Sequence, residues 1–150
     1  KWGSTLEKIE KALAQLLQAS STKVAKNLFS GSVYIGSVVG LTREENQDRV
    51  LVLNSNGSMS VSPFCCAILV DGMGGMQDGG RCAELSLMYF VSYLIASSTR
   101  LLETRIVDAT HYANQKVFEE YRGRGGATLS ALAIDSSKKF VGVNIGDSRI

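Results

Sequence analysis

Phe64-Cys65-Cys66-Ala67-Ile68-Leu69-Val70-Asp71-Gly72-Met73-Gly74-Gly75 is an unbroken apolar run that ends on a carboxylate and passes into a glycine-rich loop. A short continuous apolar run bounded by turn residues reads as a buried strand. Upstream, residues 32–39 and 49–53 are rich in Val, Ile and Leu and flank a polar turn at 42–48, while Asn54-Ser-Asn-Gly57 is a hairpin-type turn. Downstream, two helices are expected, roughly over 80–97 and 100–122. The first is apolar nearly all round, which means burial; the second keeps a stripe of Leu102, Ile106, Ala109, Ala113 and Val117, with Gly123 placed to end it. Residues 127–134 and 140–145 complete the pattern as two strands joined by an Asp135-Ser-Ser turn. Strands, then two helices, then strands favour an α+β layered architecture over an alternating doubly wound sheet.

Ahead of this unit, residues 4–19 read as a helix: Ser4 and Glu7 form a capping-box pair, and Leu6, Ile9, Leu13, Leu16 and Leu17 recur at helical spacing. The Ser/Thr/Lys-rich stretch after it, to residue 26, reads as a linker. The organisation expected is therefore 1–26 as amphipathic helix and linker, and 27–150 as the main domain. The helix either packs on its own domain, as such stripes routinely do, or serves as a contact for a partner or a second copy.

The chain has 150 residues, 45% of them apolar and 20% charged, with sixteen Lys and Arg against fourteen Asp and Glu. That is enough to bury a core without a disulfide or metal staple. A formal charge of +2 with no basic run points away from nucleic acid and from an anionic membrane surface. The richest apolar stretch, 85–95, is interrupted by Ser86, Tyr89, Ser92 and Tyr93 and covers about half of the ~20 residues a membrane helix needs. The N-terminal residues lack the zones of a signal peptide, and three Cys fit a reducing compartment, so a cytoplasmic location is expected.

Three polar clusters carry the candidate chemistry: Arg43-Glu-Glu-Asn-Gln-Asp48, Asp71-Gly-Met-Gly-Gly75 and Gly146-Asp-Ser-Arg149. Two of them set an acidic residue at or just past the end of an apolar strand, where it is rigidly held yet open to solvent. Mg²⁺ and Mn²⁺ take oxygen ligands and keep several waters, so a few convergent carboxylates suffice. Asp71 is the leading candidate, because the glycines after it let backbone carbonyls and waters approach an ion. Any strand-end Asp taken alone is more simply a turn or cap residue. Arg43 taken alone is more simply a surface partner of Glu44 or Glu45; beside a metal pair, its fork suits two oxygens of a phosphate. Metals that lower the pKa of a water, together with an Arg that orients a phosphoryl group, make a design for hydrolysing a phosphate ester.

Other phosphatase chemistries lack their residues. The positions six after Cys65, Cys66 and Cys82 are Asp71, Gly72 and Met88, so no Cys-x₅-Arg loop exists, and the single His111 lies mid-helix. A Gly-x-x-x-x-Gly-Lys loop for nucleotides is missing as well. Cys65 and Cys66 are adjacent on a strand and point to opposite faces, so they read as free thiols and not as zinc ligands. The basic segment Tyr121-Arg-Gly-Arg-Gly125 reads as a solvated turn after the second helix.

In order and spacing, Arg43-x-x-Asn46-Gln47-Asp48, Val70-Asp71-Gly72-Met73-Gly74-Gly75, Gly126-Ala127-Thr128 and Asn144-Ile-Gly146-Asp147-Ser148-Arg149 resemble the metal-dependent protein Ser/Thr phosphatases of the PPM, or type-2C, family, with Met73 marking the bacterial-type motif. The resemblance runs from about residue 32 to residue 150. It implies an α-β-β-α sandwich, a phosphoprotein substrate, and Mn²⁺ or Mg²⁺ as cofactor. Asp71 would bridge two ions, with the Gly72 carbonyl on one of them. Asp48 would hold metal-bound water, Arg43 would bind the substrate phosphate, and Asp147 would help to hold a third, looser ion. Thr128 would support the site structurally. The family's later metal-binding aspartates have no counterpart here, so the chain is expected to be the N-terminal half of such a domain, cut before those ligands. The alternative is a catalytically inactive phosphatase-like half-domain that acts as a binding or regulatory module.

Overall fold

The apolar run at the centre of the sequence is β4 (Phe64–Asp71), and its burial alternates strictly: Phe64, Cys66, Ile68 and Val70 are buried, while Ala67, Leu69 and Asp71 are exposed. The computed structural model describes residues 2–18, 23–28, 33–57, 62–98 and 100–150. The other elements are α1 (Trp2–Gln18), β1 (Lys23–Leu28), β2 (Val33–Val38), β3 (Asp48–Ser55), α2 (Gly79–Ala96), α3 (Leu102–Tyr121), β5 (Leu129–Asp135) and β6 (Phe140–Ile145). β3, β4, β5 and β6 form a four-stranded antiparallel sheet in that order, and β1 and β2 pair as a separate antiparallel ribbon. The architecture is α+β, as expected from the order of elements.

α2 and α3 lie together between β4 and β5 in the chain and cover one face of the sheet. α2 is buried along most of its length through residues such as Cys82, Leu87, Phe90, Val91 and Leu94, which is why its sequence shows so little amphipathicity. α3 contributes Ile106, Ala109, Ala113 and Val117, the stripe expected from its spacing. Burying an aliphatic or aromatic side chain of this kind contributes about 1.5–3 kcal/mol. Arg105, also buried, donates through Nε and Nη2 to the Leu94 carbonyl near the C-terminal end of α2, and its guanidinium sits 4.9 Å from the Phe64 ring centroid. A cation there meets the negative end of the helix dipole.

Four expectations are corrected. Residues 23–26, read as linker, belong to β1, and the expected boundary after residue 26 falls inside that strand; its backbone bonds to β2 in the register Lys23↔Val38 to Leu28↔Val33. The rest of that linker, residues 19–22, lies outside the described residues. α1 starts at Trp2, which puts Ser4 and Glu7 inside the helix and not at its cap. α3 ends at Tyr121, two residues before the glycine expected to stop it: Arg122 adopts the left-handed cap conformation (φ 52°), and Gly123 follows at φ 75°. Lastly, β4 is buried on one face only.

α1 packs on α2 of its own chain, with Leu6 buried and Leu13 against the core, and Tyr112 of α3 donates a 2.8 Å hydrogen bond to Glu10. Tyr112 in turn meets Tyr89 of α2 edge-to-face at 5.9 Å and Tyr93 at a tilt at 5.2 Å, so these aromatics are packing residues. Among the described residues, no helix is long and apolar enough to cross a membrane.

Candidate metal and phosphate site

Asp48 opens β3 and Asp71 closes β4, and the register sets them directly opposite each other. Directly opposed residues share a face of the sheet with Cβ atoms roughly 4.5–5.5 Å apart, so like charges there repel. Burial, then the Asp71 charge and a hydrogen bond to its side chain, raise the Asp48 carboxyl above the ordinary carboxylate range, against a weaker opposing pull from Arg49. A bound cation would relieve that repulsion. Two carboxylates in one cleft with Gly72, whose backbone can add a carbonyl, are a hard-oxygen donor set, which fits Mg²⁺ or Mn²⁺.

The segment that carries Asp48 is held from several sides. Asn46, buried, accepts a hydrogen bond from the Asp48 amide at 3.0 Å and donates to Ser37 Oγ on β2 at 2.7 Å. The Gln47 carbonyl accepts from the Gly72 amide at 3.2 Å, which locks the approach to β3 onto the glycine loop. That loop needs glycine at residue 72: a Cβ there would lie 2.3 Å from the Gly79 carbonyl oxygen. Glu45, which also lines the cleft, lies against the first turn of α2, where a negative charge is favoured by the helix dipole; a Cβ on Gly80 would sit 2.7 Å from its Oε1.

Arg43 stands over the loop, its Nη1 3.3 Å from where a Cβ on Gly74 would be. Among the described residues it forms no ion pair with Glu44 or Glu45. Arg43, Asp48, Asp71 and Gly72 line one open cleft of about 110 Å³. Since a water occupies about 30 Å³ of liquid, the cleft has room for an ion with part of its hydration shell.

Thr128 grips the backbone of Asp71: its amide donates to the Asp71 carbonyl at 2.8 Å and its Oγ1 accepts from the Asp71 amide at 3.1 Å. Asp147, in contrast, is exposed in the turn after β6 and is not among the residues lining the cleft. Among the described residues, no three His, Cys, Asp or Glu side chains converge. The structure therefore brings together Arg43, Asp48, Asp71 and Gly72, and sets Asp147 apart. The supporting roles of Asn46 and Gln47 were not read from the sequence, although both lie inside the first polar cluster. Behind the loop, Met73 and Met76 help to line a mainly apolar cavity of about 290 Å³ that reaches Val117 of α3 and Ile145 of β6.

Compared with protein-family models, with curated proteins and with solved structures, the chain matches none.

Proposed function

We propose that this chain carries the site of a metal-dependent protein serine/threonine phosphatase, which hydrolyses phosphoserine or phosphothreonine esters by direct attack of water on phosphorus. The observation that carries the proposal is the facing pair Asp48 and Asp71 at the end of the sheet, in one cleft with Arg43. Divalent ions bound there would supply positive charge and an acidified water at neutral pH. Asp71 and the Gly72 carbonyl would hold the ions, Asp48 would orient the water, and Arg43 would fork onto the non-bridging phosphate oxygens. Water attacks phosphorus, the ester bond to the Ser or Thr oxygen breaks, and inorganic phosphate and the free hydroxyl leave without a phosphoenzyme.

The test is release of phosphate from a phosphothreonine peptide by the protein carrying this chain, with Mn²⁺, with chelator, and with Asp71→Asn. The expected result is abolition by chelator and a loss on the order of 10²–10³-fold in the variant. Equal hydrolysis after the metals are stripped would overturn the proposal. A second reading, a non-catalytic phosphatase-like binding module, is favoured by the lack, among the described residues, of three convergent His, Cys, Asp or Glu side chains. It predicts no Mn²⁺-dependent turnover in the same assay.

A further inference from the structure

The glycine-rich loop separates two spaces. Gly72 and Gly74 line the open cleft of the candidate metal site, while Met73 and Met76 line the mainly apolar cavity of about 290 Å³ behind the loop. Val117 and Ile145 line that cavity too, and Met73, Met76 and Ile145 remain exposed, so the space communicates with solvent. A Cβ on Gly126 would lie 3.3 and 3.6 Å from the Sδ atoms of Met73 and Met76, so the absence of a side chain there leaves room beside the two thioethers. Unbranched, polarizable Met side chains adapt readily to an apolar guest.

One polar group in the wall lacks a partner. Ser86 of α2 lines the cavity and is 8% exposed. Ser92 and Ser97 donate to the carbonyls of Tyr89 and Tyr93 at 3.0 and 2.7 Å, but the Ser86 hydroxyl makes no hydrogen bond among the described residues. Buried hydroxyls are nearly always paired, so this one calls for an acceptor or donor inside the cavity. Among the described residues no charged side chain lines the space, and a charged guest would lose its hydration without compensation. The volume is at the small end of ligand pockets, and roughly twice the ~150 Å³ that admits benzene. We propose that this cavity is a binding site for a small, uncharged, mainly apolar molecule, about the size of a two-ring aromatic, which carries one hydroxyl or carbonyl that pairs with Ser86. The inference stands on the cavity and is independent of the metal-site reading.

The test titrates 2-naphthol, and naphthalene as its analogue without the hydroxyl, into the protein carrying this chain with ¹³C-methyl methionine, and follows the methyl resonances by NMR. Both probes are expected to shift Met73 and Met76 saturably and to leave Met88, which is buried in α2 and does not line the cavity, in place. Ser86→Ala should weaken 2-naphthol by about 2- to 10-fold, the worth of one hydrogen bond, and leave naphthalene unchanged. Gly126→Leu, which puts a side chain beside Met73 and Met76, should abolish both titrations. Ser86→Ala, a smaller change, keeps the test valid if Gly126→Leu does not fold. Shifts at Met73 and Met76 that never saturate, or that Met88 shares equally, would overturn the proposal. Equal affinity of parent and Ser86→Ala for 2-naphthol would overturn it as well.

Discussion

The two faces of the β3–β6 sheet are both apolar, but among the described residues only one is covered. On the helix side, Cys66, Ile68, Val70, Ala131 and Ala133 are buried beneath α2 and α3. On the other side the same register aligns Val52, Ala67 and Leu132, and next to them Cys65, Ile134 and Phe140, with Leu69 at 45% and Phe140 at 63% exposure. Asp48 and Asp71 lie on this open side, at one end of its apolar strip. A sheet whose strands are apolar on both faces suits a layer on each side. The catalytic candidates thus stand at the edge of the face that is still open, where a covering layer would border the cleft. The α-β-β-α sandwich implied by the family resemblance would supply such a layer.

The largest contrast is expected between adjacent thiols. Burial, and then the neighbouring Cys65, push the Cys66 thiol up to about 12, while Cys65 is half-buried on the open side. At pH 8 a thiol with that value is ionised to only about one part in 10⁴, and only the thiolate reacts. Iodoacetamide followed by peptide mass spectrometry should modify Cys65 faster than Cys66 by about 10³-fold or more, with Cys82 also protected by burial. Similar rates at the two positions would mean that the faces do not differ.

The next contrast uses neighbouring aliphatic residues. Ile68→Ala is expected to cost about 2–5 kcal/mol in urea unfolding, as core truncations do, and Leu69→Ala less than about 1 kcal/mol. A large cost at Leu69 would show that its side is already covered.

The smallest effect is a pH dependence centred on Asp48. Its folded carboxyl titrates above the unfolded one, so between the two values the folded state binds more protons. Its contribution to stability is therefore lost as pH rises through that window. Exposed Glu103, Glu119 and Asp135, held low chiefly by hydrogen bonds from Lys139, Gln115 and Ser137, act in the opposite sense as pH falls. The difference between parent and Asp48→Asn isolates the Asp48 part: the variant should gain stability relative to the parent between pH 4 and pH 7 in metal-free urea unfolding. A difference that does not change with pH would remove the charge repulsion from the account.

Much of this was legible in the sequence, because α2, α3 and β3–β6 follow from periodicity and turn residues. Three failures have physical causes. The six residues of β1 mix Lys and Asn with apolar positions, and among the described residues their only strand partner is β2, so nothing local marks them as a strand. The apolar run of β4 reads as a buried strand, but apolarity records what a face is suited to, not whether both faces are covered in this chain. The site residues Arg43, Asp48, Asp71 and Gly72 were legible as clusters. What fixes them was only partly so: Thr128, expected as structural support from the resemblance, does hold Asp71 across 57 residues of sequence, but Gln47 acts through a backbone carbonyl, which its side chain does not advertise.

The central claim is that the facing carboxylates at the end of the open side bind a divalent cation. Calorimetric titration of the chain with Mn²⁺ at pH 7, repeated on Asp71→Asn, tests it most directly. The account predicts saturable binding that Mg²⁺ competes away and that the variant loses. Indistinguishable isotherms for parent and variant would contradict it.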